Sequence, residues 1–357
     1  MSDYFKNLVN KNNKKFLFIA ELSANHGGNF KNAIKLIKLA KKNRVDFVKF
    51  QTYEKNSMTI NSKQKSFSIK GGIWKNMNLW KLYGKAETPY HWQKRLFNFA
   101  TKQKIKAFST PFDETGVEIL KKLNCKIIKI ASLETTDFPL VDKISKLKKP
   151  VIFSTGTSNL MEIEMTYNYL KKKGVKDIAI LYCVSNYPSN YKDFSFNNIK
   201  ILKKKFNCVI GFSDHSNNND VMKSAIAAGA EIIEKHVKLD NNKDTPDKEF
   251  SIEINKVKNL IFDLKKIKFM NRNLNKYFLS KNELNNKKFR RSIYVFDTIR
   301  KDEKINFLNI KCLRPLKGIT PKNYNSLINM KSPKNLKYGE PINEKLYKEI
   351  LIYNRKN

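Results

Sequence analysis

Cysteine is scarce. The four residues Cys125, Cys183, Cys208 and Cys312 lie far apart and form no C-x-x-C pair. That argues against a disulfide framework or a zinc knuckle and suits a reducing compartment. Long apolar runs are missing too. The longest, such as residues 16–20, fall far short of the ~20 residues a membrane span requires. The opening MSDYFKNLVNKNNKKFLFIAEL puts no long apolar segment ahead of a small-residue cleavage site, so it does not read as a secretory signal. The expectation is a cytoplasmic protein without membrane contact. No G-x-G-x-x-G follows the first apolar run, which counts against an open dinucleotide-binding sheet. Acidic residues are few, 32 against 71 Lys and Arg, for a net charge of +39.

So basic a chain raises the question of nucleic acid. The lysines, however, are spread throughout, in company with Asn and Ile, as in KNNKK, NNKKFRR and SFNNIKILKKKFN. No RNP, zinc-finger or basic-zipper pattern is present. The charge therefore reads as composition bias on a solvated surface, one that would also draw anionic substrates inward. No specific nucleic-acid partner is expected. A basic barrel that binds nucleic acid is the non-enzyme alternative.

What is present is a repeating pattern. With 357 residues, 41% of them hydrophobic, the chain can fill one large core and a smaller one. Eight short apolar runs (FLFIAEL, DFVKFQTY, IKAFSTPF, KIIKIAS, PVIFSTG, DIAILYCVS, CVIGFSDH and EIIEKHVKL) alternate with segments whose apolar residues recur at three and four positions. Eight β/α units in about 250 residues predict an α/β fold, a closed (β/α)8 TIM barrel. A long insertion, 54–89, separates the second strand from its helix and holds Trp74, Trp80 and Tyr83; a loop of that length at a barrel rim is usually functional. After Ile267 the sequence turns polar and basic, as a linker does. From about residue 291 to 347 the runs SIYVF, IKCLRP and EPINEKL predict a small, mainly β domain.

Barrel enzymes keep their chemistry at the C-terminal ends of the strands. Polar residues gather there: Glu21, Lys49 and Gln51, Ser109 and Thr110, Lys129 and Ser132, Ser154 and Thr155, Ser185 and Asn186, Ser213 and His215, and His236. Alternate residues of a strand share a face, so Lys49 points with Gln51 and Glu234 with His236. A lysine inside FVKFQ or IIKIA is costly to bury without a partner. Two of them at one mouth invite a phosphate or carboxylate, to which Thr110, Ser132, Ser154 and Ser213 could add hydrogen bonds. A single such lysine is more simply a snorkelling side chain or half of a local ion pair. His215 and His236 end adjacent strands. They suit Mn2+, Fe2+ or Zn2+, or else one structural histidine and one general base. The acidic DNNKDTPDKEFS, with Asp247, favours the metal or a sugar site. His26 in SANHGGN is a loop-ordering residue or a substrate contact.

These strings resemble a known family. IAELSANHGG, VKFQTY, GGIWKNMNLWKLYGKAETPYHWQ, FSTPFD, KIIKIASLETTD, FSTGTS, CVSNYPS, GFSDHS, EKHVKL and PDKEFS, in that order, are similar to the N-acetylneuraminate (sialic acid) synthase family. FRRSIYV and CLRPLKGITP resemble its antifreeze-like (SAF) domain, and the likeness runs from about residue 16 to 346. IAELSANH, the GGIW…LWKLY loop, TPYHW and FRRSIYV are most similar to the pseudaminic acid branch; the sialic and legionaminic acid branches are alternatives. One departure is NNKDTPDKEFS, where the family carries a glycine-rich stretch.

The resemblance implies residues 1–267 as the catalytic barrel, 268–290 as a linker and 291–357 as the antifreeze-like domain. It implies a transferase that condenses phosphoenolpyruvate with 2,4-diacetamido-2,4,6-trideoxy-L-altrose and releases phosphate. Lys49, Thr110, Lys129, Ser132, Ser154, Asn186 and Ser213 would cradle phosphoenolpyruvate. His215 and His236 would hold a divalent metal, Mn2+ (or Mg2+ or Co2+), which would polarise the sugar aldehyde. Glu134 and Asp247 would move protons, with Glu21 a further catalytic candidate or sugar contact. Gln51 and Tyr187 would contact the sugar. Arg314 would reach the partner's sugar site across a domain-swapped homodimer. A deoxy-sugar-phosphate synthase would need a second phosphate site, and the strand ends offer no extra basic triplet for one.

Overall fold

The computed structural model describes residues 4–12, 15–240, 245–271 and 277–356. The chain divides into two compact units, Met1–Arg272 and Asn273–Asn357.

The first unit contains strands β1 (Leu17–Glu21), β2 (Phe47–Thr52), β3 (Lys106–Pro111), β4 (Ile128–Ile130), β5 (Val151–Ser154), β6 (Ile178–Cys183), β7 (Val209–Asp214) and β8 (Ile232–Lys238). All pair in parallel in chain order, and β1 pairs with β8, so the barrel closes. Each strand is followed by a helix whose apolar stripe packs on the sheet. In the first helix, Phe30–Lys42, the buried residues are Ala33, Leu36, Ile37 and Ala40, at the helical period. Asn29, Asn78, Asp113, Asp137, Asn159 and Asn218 cap helices by accepting from N–H groups that the first turn leaves unpaired. Inside the barrel the walls approach closely. A Cβ added at Gly211 would lie 2.5 Å from Leu181 and 2.6 Å from the Ile232 carbonyl, so β7 takes glycine there.

Two elements go beyond the predicted alternation. Helix Tyr4–Lys11 precedes β1 and buries Phe5 and Val9 in the core. Ile252–Glu253 (β9) pairs with the end of β8. The insertion 54–89 is well structured: it holds helices Lys55–Met58 and Leu79–Ala86, and bridges of Tyr53 to Thr88 and of Ser68 to Asn78 fold it back onto the mouth. Of the divergent stretch NNKDTPDKEFS, residues 241–244 lie outside the described residues, as do residues 272–276 of the expected linker. Around the latter, the last barrel helix runs to Met270 and a capped helix covers Lys281–Asn285.

The second unit pairs Ser292–Val295 (β10) with Ile310–Leu313 (β11) in antiparallel fashion around a core that includes Ile293, Ile310, Ile319, Leu336 and Ile342. The predicted strand EPINEKL is a correction. Only Pro341 bridges to Tyr294, and Glu344 begins helix Glu344–Lys356. Leu346 and Ile350, one turn apart, bury that helix's apolar face, which overrides the short strand-like run.

Candidate functional site

Each strand's alternation turns one set of polar side chains into the barrel. Register places Glu21 beside Lys49 and His236, and Ser213 beside Glu234. The mouth holds a cavity of about 210 Å3. Its lining includes Lys49, Gln51, Lys129, Ser132, Glu134, Ser154, Tyr187, Ser213, His215, His236 and Asp247. Most of the residues selected from sequence thus converge.

The two lysines differ in their company. Lys49 Nζ lies 2.5 Å from Glu21 Oε2 and 3.4 Å from Glu234 Oε1, and donates to Thr110 Oγ1 at 3.2 Å. Burial pushes its pKa down, but the two carboxylates outweigh burial and hold it above the usual lysine value. Lys129 Nζ donates to Ser154 Oγ at 2.6 Å and to the Ile130 carbonyl at 3.1 Å. Burial, joined by the Lys49 charge, lowers its pKa. Glu234 opposes that shift electrostatically, but among the described residues no carboxylate is in ion-pair contact with Lys129, which lines the cavity open to an anion. Ser132 Oγ accepts from the Gly156 N–H at 3.1 Å, and a Cβ at Gly156 would overlap Ser185 Oγ. Glycine there lets backbone and hydroxyls crowd together below Lys129.

The histidines stand with ring centroids 5.2 Å apart. His215 Nδ1 lies 3.2 Å from the Val184 carbonyl, which makes it the N–H end and leaves Nε2 with a lone pair. Burial, then the neighbouring His236, pushes the His215 pKa down to about 3. His236 Nδ1 is buried without a hydrogen-bond partner and lies 3.5 Å from Asp247 Oδ2. A basic imidazole nitrogen left over on each ring fits a divalent cation. Among the described residues no set of three or more His, Cys, Asp or Glu is arranged to hold one. The protein would therefore supply two ligands and leave the other positions to water and substrate.

Asp247 Oδ2 accepts from Ser23 Oγ and, at 3.3 Å, from the Ala24 N–H. Burial raises its pKa, but His236 and these donors hold it below the usual aspartate value. Burial pushes the Glu134 carboxyl up to about 7.

Some selected residues lie elsewhere. Glu21 is fully buried behind the cavity wall, where it accepts from the Ser23 N–H at 2.8 Å and pairs with Lys49. Thr110 likewise sits behind Lys49. Asn186 lies apart from this cavity. It is exposed, its amide donates to Asp193 at 3.3 Å, and it does not line this cavity. The loop after β6 turns its side chain toward that capping aspartate. Arg314 belongs to the second unit. His26 orders its loop: its ring bonds Thr88 Oγ1 and the Gly28 N–H and packs edge-on to Trp92.

Sequence reasoning passed over Glu234. It is buried in the cavity wall, accepts from Ser213 Oγ at 3.3 Å, and keeps Oε2 without a hydrogen-bond partner among the described residues. Burial would raise its pKa, but Lys129 and Lys49 outweigh burial and hold it down to about 2. The signal was its place two residues before His236 on one face. Trp74, which donates to the Pro246 carbonyl at 3.0 Å, and Phe250 also enter the site beside Tyr187.

Residues 36–276 match the NeuB family model. The chain belongs to the NeuB family. Among relatives in that family, a pseudaminic acid synthase of Campylobacter jejuni is 38% identical over 93% of this chain and 96% of its own length. One of Helicobacter pylori is 36% identical over 91% and 95%. A solved N-acetylneuraminic acid (sialic acid) synthetase of Leptospira borgpetersenii, in complex with citrate, superposes with a TM-score of 0.67 at 30% identity, covering 76% of this chain and 90% of that one. No helix among the described residues of this NeuB family chain is long and apolar enough to cross a membrane.

Proposed function

We propose that the chain is a pseudaminic acid synthase, condensing phosphoenolpyruvate with 2,4-diacetamido-2,4,6-trideoxy-L-altrose to give a nine-carbon 2-keto sugar acid and phosphate. The observation that carries this reading is Lys129, a buried cation without a carboxylate partner, in one cavity with Ser132, Ser154 and the paired histidines. A phosphorylated enol acid bears two anionic groups, and Lys129, out of ion-pair contact with any carboxylate among the described residues, can bond one of them. The likeness to pseudaminic acid synthases over nearly the whole chain supports the choice of branch.

Lys129, Ser132, Ser154 and Ser213 bind and orient the phosphate and carboxylate; Lys49 lines the cavity beside them, its charge matched by Glu21 and Glu234 and its position fixed by Glu21 and Thr110. His215 and His236 would hold a divalent cation, Mn2+ by preference, which when bound supplies Lewis acidity toward the sugar aldehyde. The enol carbon attacks that aldehyde, water adds at the former enol C2, and phosphate leaves with C–O cleavage. Glu134, with a pKa of about 7, can lose and regain a proton near neutral pH. Asp247 stays ionised and can accept hydrogen bonds from the sugar. Gln51 and Tyr187 line the side where the sugar would sit. In this reading Trp74, Tyr187 and Phe250 form an aromatic side of the site.

Residues 1–267 are proposed as the catalytic domain, 268–290 as a linker and 291–357 as an antifreeze-like domain. The latter would place Arg314 at the sugar site of a partner in a domain-swapped dimer. The enzyme would work in the cytoplasm. Phosphate release from phosphoenolpyruvate by the pure protein with Mn2+ and a sugar panel tests the function. Release with the diacetamido altrose sugar above N-acetylmannosamine or the legionaminic acid precursor supports it; release with none of them refutes it.

A further inference from the structure

The cavity has a second wall unlike the first. Opposite chemistry meets there: Met58, Leu82, Tyr83 and Ala86, all from the insertion, line it with Tyr53 and Phe112. Tyr53 packs edge-on to Tyr83 with centroids 6.1 Å apart and to Phe112 at 5.1 Å. Tyr53 is only 3% exposed, yet among the described residues neither its hydroxyl nor that of Tyr83 has a hydrogen-bond partner. Both phenols line this more apolar side of the cavity, the chamber beside the polar site, and neither hydroxyl carries a protein bond.

Each hydroxyl is therefore free to bond a group of a bound ligand, as donor or as acceptor. A group that fits has a donor, an acceptor and an apolar end, because the chamber offers two hydroxyls and aliphatic surface. An acetamido group offers an N–H, a carbonyl oxygen and a methyl, whereas a sugar hydroxyl could bond both phenols but would leave the aliphatic surface uncovered. The chamber also adjoins the reacting centre: Asp247 acts electrostatically on Tyr53, and Glu134 on Tyr83.

Resting on the proposed condensation, we infer that Tyr53 and Tyr83 select the sugar, their hydroxyls binding its C4 acetamido group, which N-acetylmannosamine lacks, with the methyl in the space between Leu82, Met58 and Phe112. The insertion 54–89 is then the specificity element of this barrel. Hydrogen-bonding sites discriminate strongly because an analogue lacking the group leaves buried polar atoms unpaired.

The test compares kcat/KM for the diacetamido sugar and for N-acetylmannosamine in wild type, Tyr53→Phe and Tyr83→Phe. Each variant keeps its ring and so its packing. The expected result is a roughly tenfold fall in the diacetamido preference per variant, carried by KM for the sugar, with KM for phosphoenolpyruvate unchanged. An unchanged preference in both variants, or equal rises in both substrates' KM, overturns the selection role while leaving the condensation intact. A wild type that turns over neither sugar instead removes the condensation, and this inference with it.

Discussion

Lys129 Nζ sits 2.6 Å from Ser154 Oγ, joining the ends of two adjacent strands, and no carboxylate pairs with it among the described residues. Lys49, two strands away, is already matched by Glu21 and Glu234. The two lysines therefore carry different duties. Lys129→Ala should raise KM for phosphoenolpyruvate roughly 10- to 100-fold, the worth of charged hydrogen bonds. Steady-state kinetics checks this, and an unaltered KM would mean that the anion binds elsewhere.

Lys49 should respond differently. Glu21→Gln leaves its buried ammonium with Glu234 as its one carboxylate partner. Breaking half of a buried ion cluster should cost about 2–3 kcal/mol of stability, less than full loss of a buried pair because Glu234 remains. Urea denaturation of the variant would show it. A midpoint equal to wild type would mean that Glu21 does not hold Lys49.

Glu134 supplies the pH dependence. Burial raises its pKa to about 7, against the opposing pull of Lys129 and Lys49 and with a push from Asp137; Tyr83 also faces it. If its carboxylate accepts a proton, kcat/KM should rise as pH climbs through about 7, and Glu134→Gln should remove that limb. The folded state holds this proton more tightly than the unfolded chain does. Stability therefore falls as pH rises from the ordinary carboxyl value of 4.5 toward about 7, and Glu134→Gln should stabilise the protein at pH ~8 but not at pH ~4. Melting curves at the two pH values decide the second point.

The barrel was legible because each strand is a short apolar run closed by polar residues, and because a lysine inside FVKFQ or IIKIA is too costly to ignore. What escaped was non-local. Glu234 looks like one more charge in EIIEKHVKL until β8 lies beside β7 and β2's lysine reaches it. Glu21 and Thr110 were correctly placed at strand ends, but packing turned them to brace Lys49 behind the cavity wall. Asn186 sits beside Tyr187 in sequence, yet the capping contact with Asp193 draws it away from the cavity. Helix Tyr4–Lys11 is two turns of sequence, half of it polar, whose two buried residues gave too short a pattern to recognise.

The paired imidazoles make a prediction about metal that does not depend on turnover. His215→Ala or His236→Ala should weaken Mn2+ binding by at least ~10-fold, since even indirect partners of metal ligands are worth that much. Titration followed by electron paramagnetic resonance of free Mn2+ reads this. Wild-type affinity in both variants would dismiss the pair as ligands. Chelation should abolish phosphate release, and added Mn2+ should restore it.

The central claim is carbon–carbon bond formation between phosphoenolpyruvate and a six-carbon diacetamido aldehyde. Mass and NMR analysis of the product formed from those two compounds, Mn2+ and the pure chain tests it most directly. The account predicts one nine-carbon 2-keto acid with the pseudaminic configuration for each phosphate released. Recovery of unchanged sugar alongside pyruvate and phosphate would contradict it.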